Sequence, residues 1–228
     1  MTEAREVARR ELWAAVAAIP GLAEGLKLSQ EELWTENPWL WHVNGDVSYT
    51  VAIDDNGLFL LTRFDRGQGE PAFRSNDARA CVASMVLQWL SGSNDFYPGH
   101  SPYEEIPRIF EVSEHHEIDE FGRDCSVIRW HWGEGSWAQS CGAYSLLNGL
   151  KWAWIFTASD KTIANAASFP DGFPLFLPHP GPRLETPPGD LSNLSLERWQ
   201  AWRSARTAAG EVQGAGPEQG AGAGEAQL

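Results

Sequence analysis

The sequence predicts an α+β fold: two antiparallel sheet blocks, each followed by a helix, with a helical N-terminus and an appended C-terminal helix. Three observations predict it. Alternating apolar runs, separated by Asn-Gly and Asp-Asn-Gly turns, come in two groups along the chain. A segment with apolar residues at helical spacing follows each group. A further helical pattern occupies the first eighteen residues, ahead of any strand signal.

Residues 3–18 carry Val7, Leu12, Trp13 and Val16 on one broad face, the spacing of an amphipathic helix. Ile19-Pro20-Gly21 ends it. Ser29 followed by Glu32 is a capping box, which predicts a short helical turn over 30–34 closed by Pro38. Trp39 to Val43 is the first strand. Asn44-Gly45 predicts a hairpin turn, since both residues tolerate positive φ. Val47 to Ile53 alternates Val47, Tyr49, Val51 and Ile53 on one face. Asp54-Asp55-Asn56-Gly57 is a second turn, Leu58 to Phe64 a third strand, and Ala72 to Arg74 a short fourth. A helix capped by Asn76 is expected over 77–90, with Cys81, Val82, Met85, Val86, Trp89 and Leu90 as its apolar positions and Gly92 as its stop.

The second block opens with a short strand at Ile109 to Val112 and an acidic turn region from Glu114 to Asp124. Val127 to Trp132 alternates Ile128, Trp130 and Trp132 against Val127, Arg129 and His131. Ser136 to Ser140, Ala143 to Leu147 and Trp152 to Thr157 are expected as further strands, with Asn148-Gly149 as a hairpin turn. Ser159 is placed to cap a helix from Asp160 to Ser168. Pro170-Asp171-Gly172 ends that helix, and Phe173 to Leu177 packs back as an apolar segment.

These signals assign residues 1–178 to a single α+β domain. Residues 179–194 read as a proline-rich linker, 195–209 as a helix with Leu196, Trp199 and Trp202, and 210–228 as a disordered Gly, Ala, Glu and Gln tail.

The chain has 228 residues with 17 basic and 31 acidic side chains, a net charge of −14. That balance repels phosphate backbones and anionic lipid, so neither nucleic acid nor membrane is expected as a partner. It favours fast encounter with a basic protein. No signal-peptide pattern or apolar span is read, and a cytoplasmic location is expected. Cys81, Cys125 and Cys141 are odd in number and widely spaced, which fits a reducing compartment rather than disulfides. Most of the 12 tryptophans are expected in the core, with some at a binding surface.

The loop over 91–107 is long for a compact domain, and long loops often carry function. It holds Phe96, Tyr97, His100, Tyr103, Glu104 and Glu105, a set of aromatic anchors flanked by acids. These are the candidate partner-binding residues.

Catalytic and metal signatures are weaker. Gln139-Ser140-Cys141-Gly142-Ala143 can be set against the caspase Gln-x-Cys-x-Gly pattern, with His100, His115 or His116 as the base. Gly stands directly after the cysteine and Ala where that pattern has Gly, so a small residue packed beside Trp137 is the competing reading. Glu114-His115-His116-Glu117, with Asp119, Glu120 and Asp124, offers ligands to a metal. Adjacent histidines in a strand point opposite ways, though, and a solvated acidic turn accounts for them. Asp54-Asp55-Asn56-Gly57 resembles the start of a calcium loop without its closing Glu, and a hairpin turn accounts for it. GxxxxGK[ST], GxGxxG and GxSxG are all missing from the sequence. No cofactor, no metal and no enzymatic activity are expected.

The block Trp152-Ala153-Trp154-Ile155-Phe156-Thr157, Ser159-Asp160, Thr162 to Phe169 and Asp171-Gly172-Phe173-Pro174-Leu175-Phe176 resembles the end of a known family. That family is the actinobacterial immunity proteins of family sixty-one, which close on a strand, a short helix and a Gly-x-Pro-Leu-Phe end. Tyr49 to Arg63, with Gly57-Leu58-Phe59-Leu60-Leu61-Thr62-Arg63, is also similar, as is the helix over 77–90 ending in Trp89-Leu90. The similarity runs in order over roughly residues 40–178, and the tryptophans at 130–132 depart from it. It leaves out the N-terminal helix, the 91–107 loop and everything after Pro178. The resemblance implies a cytoplasmic antitoxin that inhibits a cognate toxin, including the tuberculosis necrotizing toxin type that hydrolyses NAD. Cover of the toxin's active-site cleft is the implied mechanism. Two rival readings stand beside it: a cysteine hydrolase using Cys141, and a secretion chaperone or adaptor.

Overall fold

Strands and helices alternate in the order the two-block pattern requires, but the two blocks share one sheet. The computed structural model describes residues 2–35, 37–44, 46–91, 109–118, 122–141, 145–167, 195–197, 200, 201 and 204. The 91–107 loop beyond Ser91, the linker, the tail and the Phe173–Leu177 segment lie outside the described residues.

Helix α1 (Glu3–Ala17) starts at Thr2, whose side chain accepts from the Arg5 N–H. Thr2 also donates to the Asp55 carbonyl at 2.8 Å, and Arg5 pairs with Asp55 at 2.9 Å, which fastens the helix to the second hairpin turn. Its buried face is Ala8, Arg9, Leu12 and Val16; Val7, expected on that face, is exposed. A short helix unforeseen in the sequence, α2 (Leu22–Gly25), follows, and then α3 (Gln30–Thr35). The capping box forms at α3: Ser29 Oγ accepts from the Glu32 N–H, and the Glu32 carboxylate accepts from the Ser29 N–H at 3.1 Å.

Strands β1 (Trp39–Asn44), β2 (Val47–Ile53), β3 (Phe59–Asp65) and β4 (Gln68–Ser75) form the first meander. Asn44 pairs with Val47, so the first turn falls one residue later than expected. Asp54 Oδ1 accepts from the Asn56 and Leu58 N–H groups at 2.8 Å each, and Gly57 takes φ +85, which closes the second turn. β4 is longer than expected because it pairs along most of β3.

Helix α4 (Ala78–Ser91) follows. Asp77, not Asn76, caps it, since its carboxylate accepts from the Ala80 N–H at 2.9 Å. Asn76 instead accepts from the Trp137 N–H at 2.8 Å and donates to the Gly135 carbonyl at 2.9 Å.

The second meander is β5 (Glu111–Ile118), β6 (Asp124–Trp132) and β7 (Ser136–Cys141). The expected acidic turn from Glu114 to Asp124 is therefore largely strand. Its Glu and His residues have weak strand preference, and unbroken pairing with β6 overrides it. The described residues of the strands expected at Ala143–Leu147 and Trp152–Thr157 belong to one helix, α5 (Ser145–Thr157). The apolar run is long enough for a helix, and length decides between the two readings. Asn148-Gly149 lies inside α5, where a Cβ on Gly149 would meet Trp130 Nε1 at 2.7 Å and Ser140 Oγ at 2.8 Å. Gly149 thus permits close helix-to-sheet approach rather than a turn. Helix α6 (Asp160–Ala167) is capped by Ser159 as expected.

The sheet has seven strands in the order β1-β2-β3-β4-β7-β6-β5, all antiparallel. The blocks join where β4 meets β7, through Phe73 with Ser140, Arg74 with Gln139 and Ser75 with Ala138. Helices α1, α4 and α5 pack on one face. That face carries Val51, Ile53, Phe59, Leu61, Phe73, Ile128 and Trp130, all buried. Phe73, Phe110, Trp130, Trp132, Trp152 and Phe156 make a chain of ring contacts there, with centroids 4.9–5.9 Å apart. Every tryptophan whose side chain is described is buried or half-buried. Arg79 at the start of α4 donates to the Phe156 and Ala158 carbonyls and pairs with Asp160, which binds the end of α5 to α6.

Candidate functional site

The candidate partner-binding residues Phe96, Tyr97, His100, Tyr103, Glu104 and Glu105 all lie outside the described residues. Among the described residues, the densest polar cluster sits on the sheet face opposite the helices. Strand alternation puts it there. Trp130 and Ile128 face the helices, so Val127 and Arg129 face away, as their alternation in the sequence predicts. Cross-strand pairing then aligns Arg74, Gln139 and Arg129 in one row and Cys141, Val127 and His115 in the next.

Glu117 is the hub. Its Oε1 lies 2.6 Å from His115 Nε2 and 3.4 Å from Arg129 Nη2, and its Oε2 lies 3.6 Å from Arg74 Nη1. The hydrogen bond from His115, with the nearby positive charges, holds the Glu117 carboxyl below the usual carboxylate range against its partial burial. Arg129 donates to Gln139 Oε1 at 2.7 Å and stacks over the Trp137 ring at 5.3 Å. Gln139 is 1% exposed and also donates to Glu117 Oε2 at 3.5 Å. The cations are thus engaged by carboxylate and amide oxygens. Such a network can fix a surface's shape and charge pattern.

Cys141 borders this cluster. Gln139 and Val127 are its neighbours, while Trp137 stands further along the same strand, stacked on Arg129. Burial pushes its thiol up to about 11, so it stays protonated at neutral pH. The hydrolase reading asks for an acidified thiol paired with an imidazole, whereas His115 is bonded to Glu117. His116 points to the other face, 3.2 Å from Asp124. Among the described residues, no group of three or more His, Cys, Asp or Glu is placed to hold a metal ion. Nor is any helix among them long and apolar enough to cross a membrane.

The cluster escapes sequence reading for a definite reason. Arg74 comes from the first block and Gln139 and Arg129 from the second, and only the β4–β7 join brings them together. Val112 and Ile118 are the two apolar residues of β5, too few for an alternation to mark the strand in the sequence.

No family model and no curated protein matches the chain. Among solved structures it is similar to Rv3902c from M. tuberculosis, at 14% identity and a TM-score of 0.44. That similarity covers 60% of this chain and 76% of the other. A likeness at this level carries no functional argument.

Proposed function

We propose that the protein is an immunity protein that binds a cognate toxin in the cytoplasm and inhibits it by blocking its active-site cleft, an NAD-hydrolysing toxin being one candidate. The observation that carries the reading is the ordered resemblance over roughly residues 40–178. Its segments fall on the β2–β3 hairpin, α4 and the α5–α6 pair, which contribute to one hydrophobic core, although residues 152–157 are the end of a helix where the resemblance implies a strand. The net charge of −14 supports it, because an inhibitor must reach its target quickly and acidic potential speeds encounter with a basic cleft.

The test is a pull-down of the tagged protein from its own cytoplasmic extract, followed by assay of whatever co-purifies at equal stoichiometry. A toxin domain whose activity falls in the complex is expected. Recovery of the chain alone would count against the reading. Within it, the 91–107 loop is the inserting element, with Phe96, Tyr97, His100 and Tyr103 ahead of Glu104 and Glu105. Replacing Tyr97 and Tyr103 by Ala is expected to weaken toxin binding by about 2 kcal/mol or more. Unchanged affinity by calorimetry would remove the loop from the interface.

A further inference from the structure

The two edges of the sheet are finished differently. β1 carries a register shift between Leu40 and His42, and the Asn37 side chain exchanges hydrogen bonds with the Ile53 backbone beside it. Irregularities of this kind protect an edge from pairing. β5 has no such device. Its pairing with β6 runs from Glu111 to Ile118 without a break, and among the described residues no strand lies on its other side. Glu111, Ser113, Glu114, His116 and Ile118 are exposed on it. Ile118 is 70% exposed, and Ile109, just before the strand, is 54% exposed. A long regular edge with an exposed isoleucine at each end is a ready template for another strand.

We propose that β5 is a self-association edge, on which a second copy of this chain pairs antiparallel to extend the sheet across a two-fold axis. The strand's complementarity to itself supports this occupant. Alternate residues of a strand turn their backbone groups to opposite edges, so a two-fold pairing centres on a residue and opposes positions an even number apart. Centred on Glu114, the pairing would set that residue against itself and Glu111 against Glu117, which like charge disfavours. Centres on Ser113 or His116 give shorter overlaps that place Val112 or Ile118 opposite Glu114.

Centred on His115, the strand complements itself. Val112 opposes Ile118 at both ends, Glu114 opposes His116 twice, and Ser113 opposes Glu117. Val112, Glu114, His116 and Ile118 share the helix-side face, since they pair with Trp130, Ile128, Ser126 and Asp124 of β6. The exposed Ile118 thereby gains an apolar partner, and Glu114 meets an imidazole instead of another acid. Edge-to-edge contacts fall at the small end of interface sizes, below about 1,200 Å². The association is accordingly weak, on the order of micromolar.

Sedimentation of the purified full chain over a concentration series is the test. A monomer–dimer equilibrium is expected. Glu114→Lys and His116→Glu each place like or uncomplemented charge across the axis, and each is expected to raise the dissociation constant by about tenfold or more. The double variant exchanges the two signs and is expected to restore dimerisation, which separates pairing from damage to the fold. Hydrogen exchange supplies a second readout: with rising concentration, β5 amides gain protection while β1 amides do not. A chain that stays monomeric at the highest concentration overturns the proposal, as does a dimer indifferent to both single variants. Protection of β5 only when a different protein is added would overturn it too, and would assign the edge to that partner.

Discussion

Gly149 stands where α5 crosses Trp130, and its missing side chain sets how near the helix can lie to the sheet. Among the described residues Trp130 Nε1, buried beside it, has no hydrogen-bond partner, and the indole is held by packing. Alanine at 149 would gain about 1 kcal/mol of helix propensity. Its Cβ would, however, sit below 3 Å from Trp130 and Ser140, both of them buried. Overpacking of that kind costs about 1–3 kcal/mol. Gly149→Ala is therefore expected to lose stability on balance, by roughly 1 kcal/mol, in chemical denaturation. A more stable variant would show that the helix can move away at no cost. Ser140 makes the same point in polar terms: its hydroxyl donates to the Ser145 carbonyl at 2.6 Å, which ties β7 to the first turn of α5.

At the scale of elements, α4 is started by one residue and placed by another. Asp77→Ala removes the cap and is expected to cost about 1 kcal/mol in thermal or chemical denaturation. An unchanged midpoint would mean that the Cys81 N–H bond to the Asp77 carbonyl suffices to begin the helix. Neighbouring Asn76 holds the β6–β7 turn instead. The swap of roles between 76 and 77 shows what sequence can and cannot tell. Both residue types cap helices, and only the position of Trp137 decides which one is free to do so. Elements bounded by local signals were legible: the Ser29–Glu32 box, the Asp54 turn, strands β2 and β3, and the Ser159 cap. Those decided by distant partners were not. β5 is a strand because β6 pairs with it, and α5 is a helix around an Asn-Gly dipeptide that elsewhere marks a turn. The Glu117 cluster was illegible for the same reason, since it draws on β4, β5, β6 and β7 at once.

At the scale of the molecule, two buried thiols link folding to alkaline pH. Burial pushes Cys81 up to about 12 and Cys141 up to about 11. A thiol raised on folding contributes stability that is complete below its unfolded pKa, about 8.5, and is lost as pH rises through the folded value. Between those limits the unfolded chain ionises and the folded chain does not. Wild-type protein is therefore expected to lose about 2 kcal/mol relative to Cys141→Ala between pH 8.5 and 11. Parallel denaturation curves for the two across that range would show that the Cys141 thiol ionises as freely in the folded state as in the unfolded one.

The join between β4 and β7 also governs how the sheet is assembled in time. Within each meander, successive strands are neighbours in sequence, and their turns close short loops at small entropic cost. The join links residues at least as far apart as Ser75 and Trp137, a separation of 62. Contacts of that span slow folding, because a long loop must close before any pairing rewards it. The two ribbons are thus expected to form early and to become one sheet late. Until the join closes, the core edges of both ribbons are open to the wrong partner.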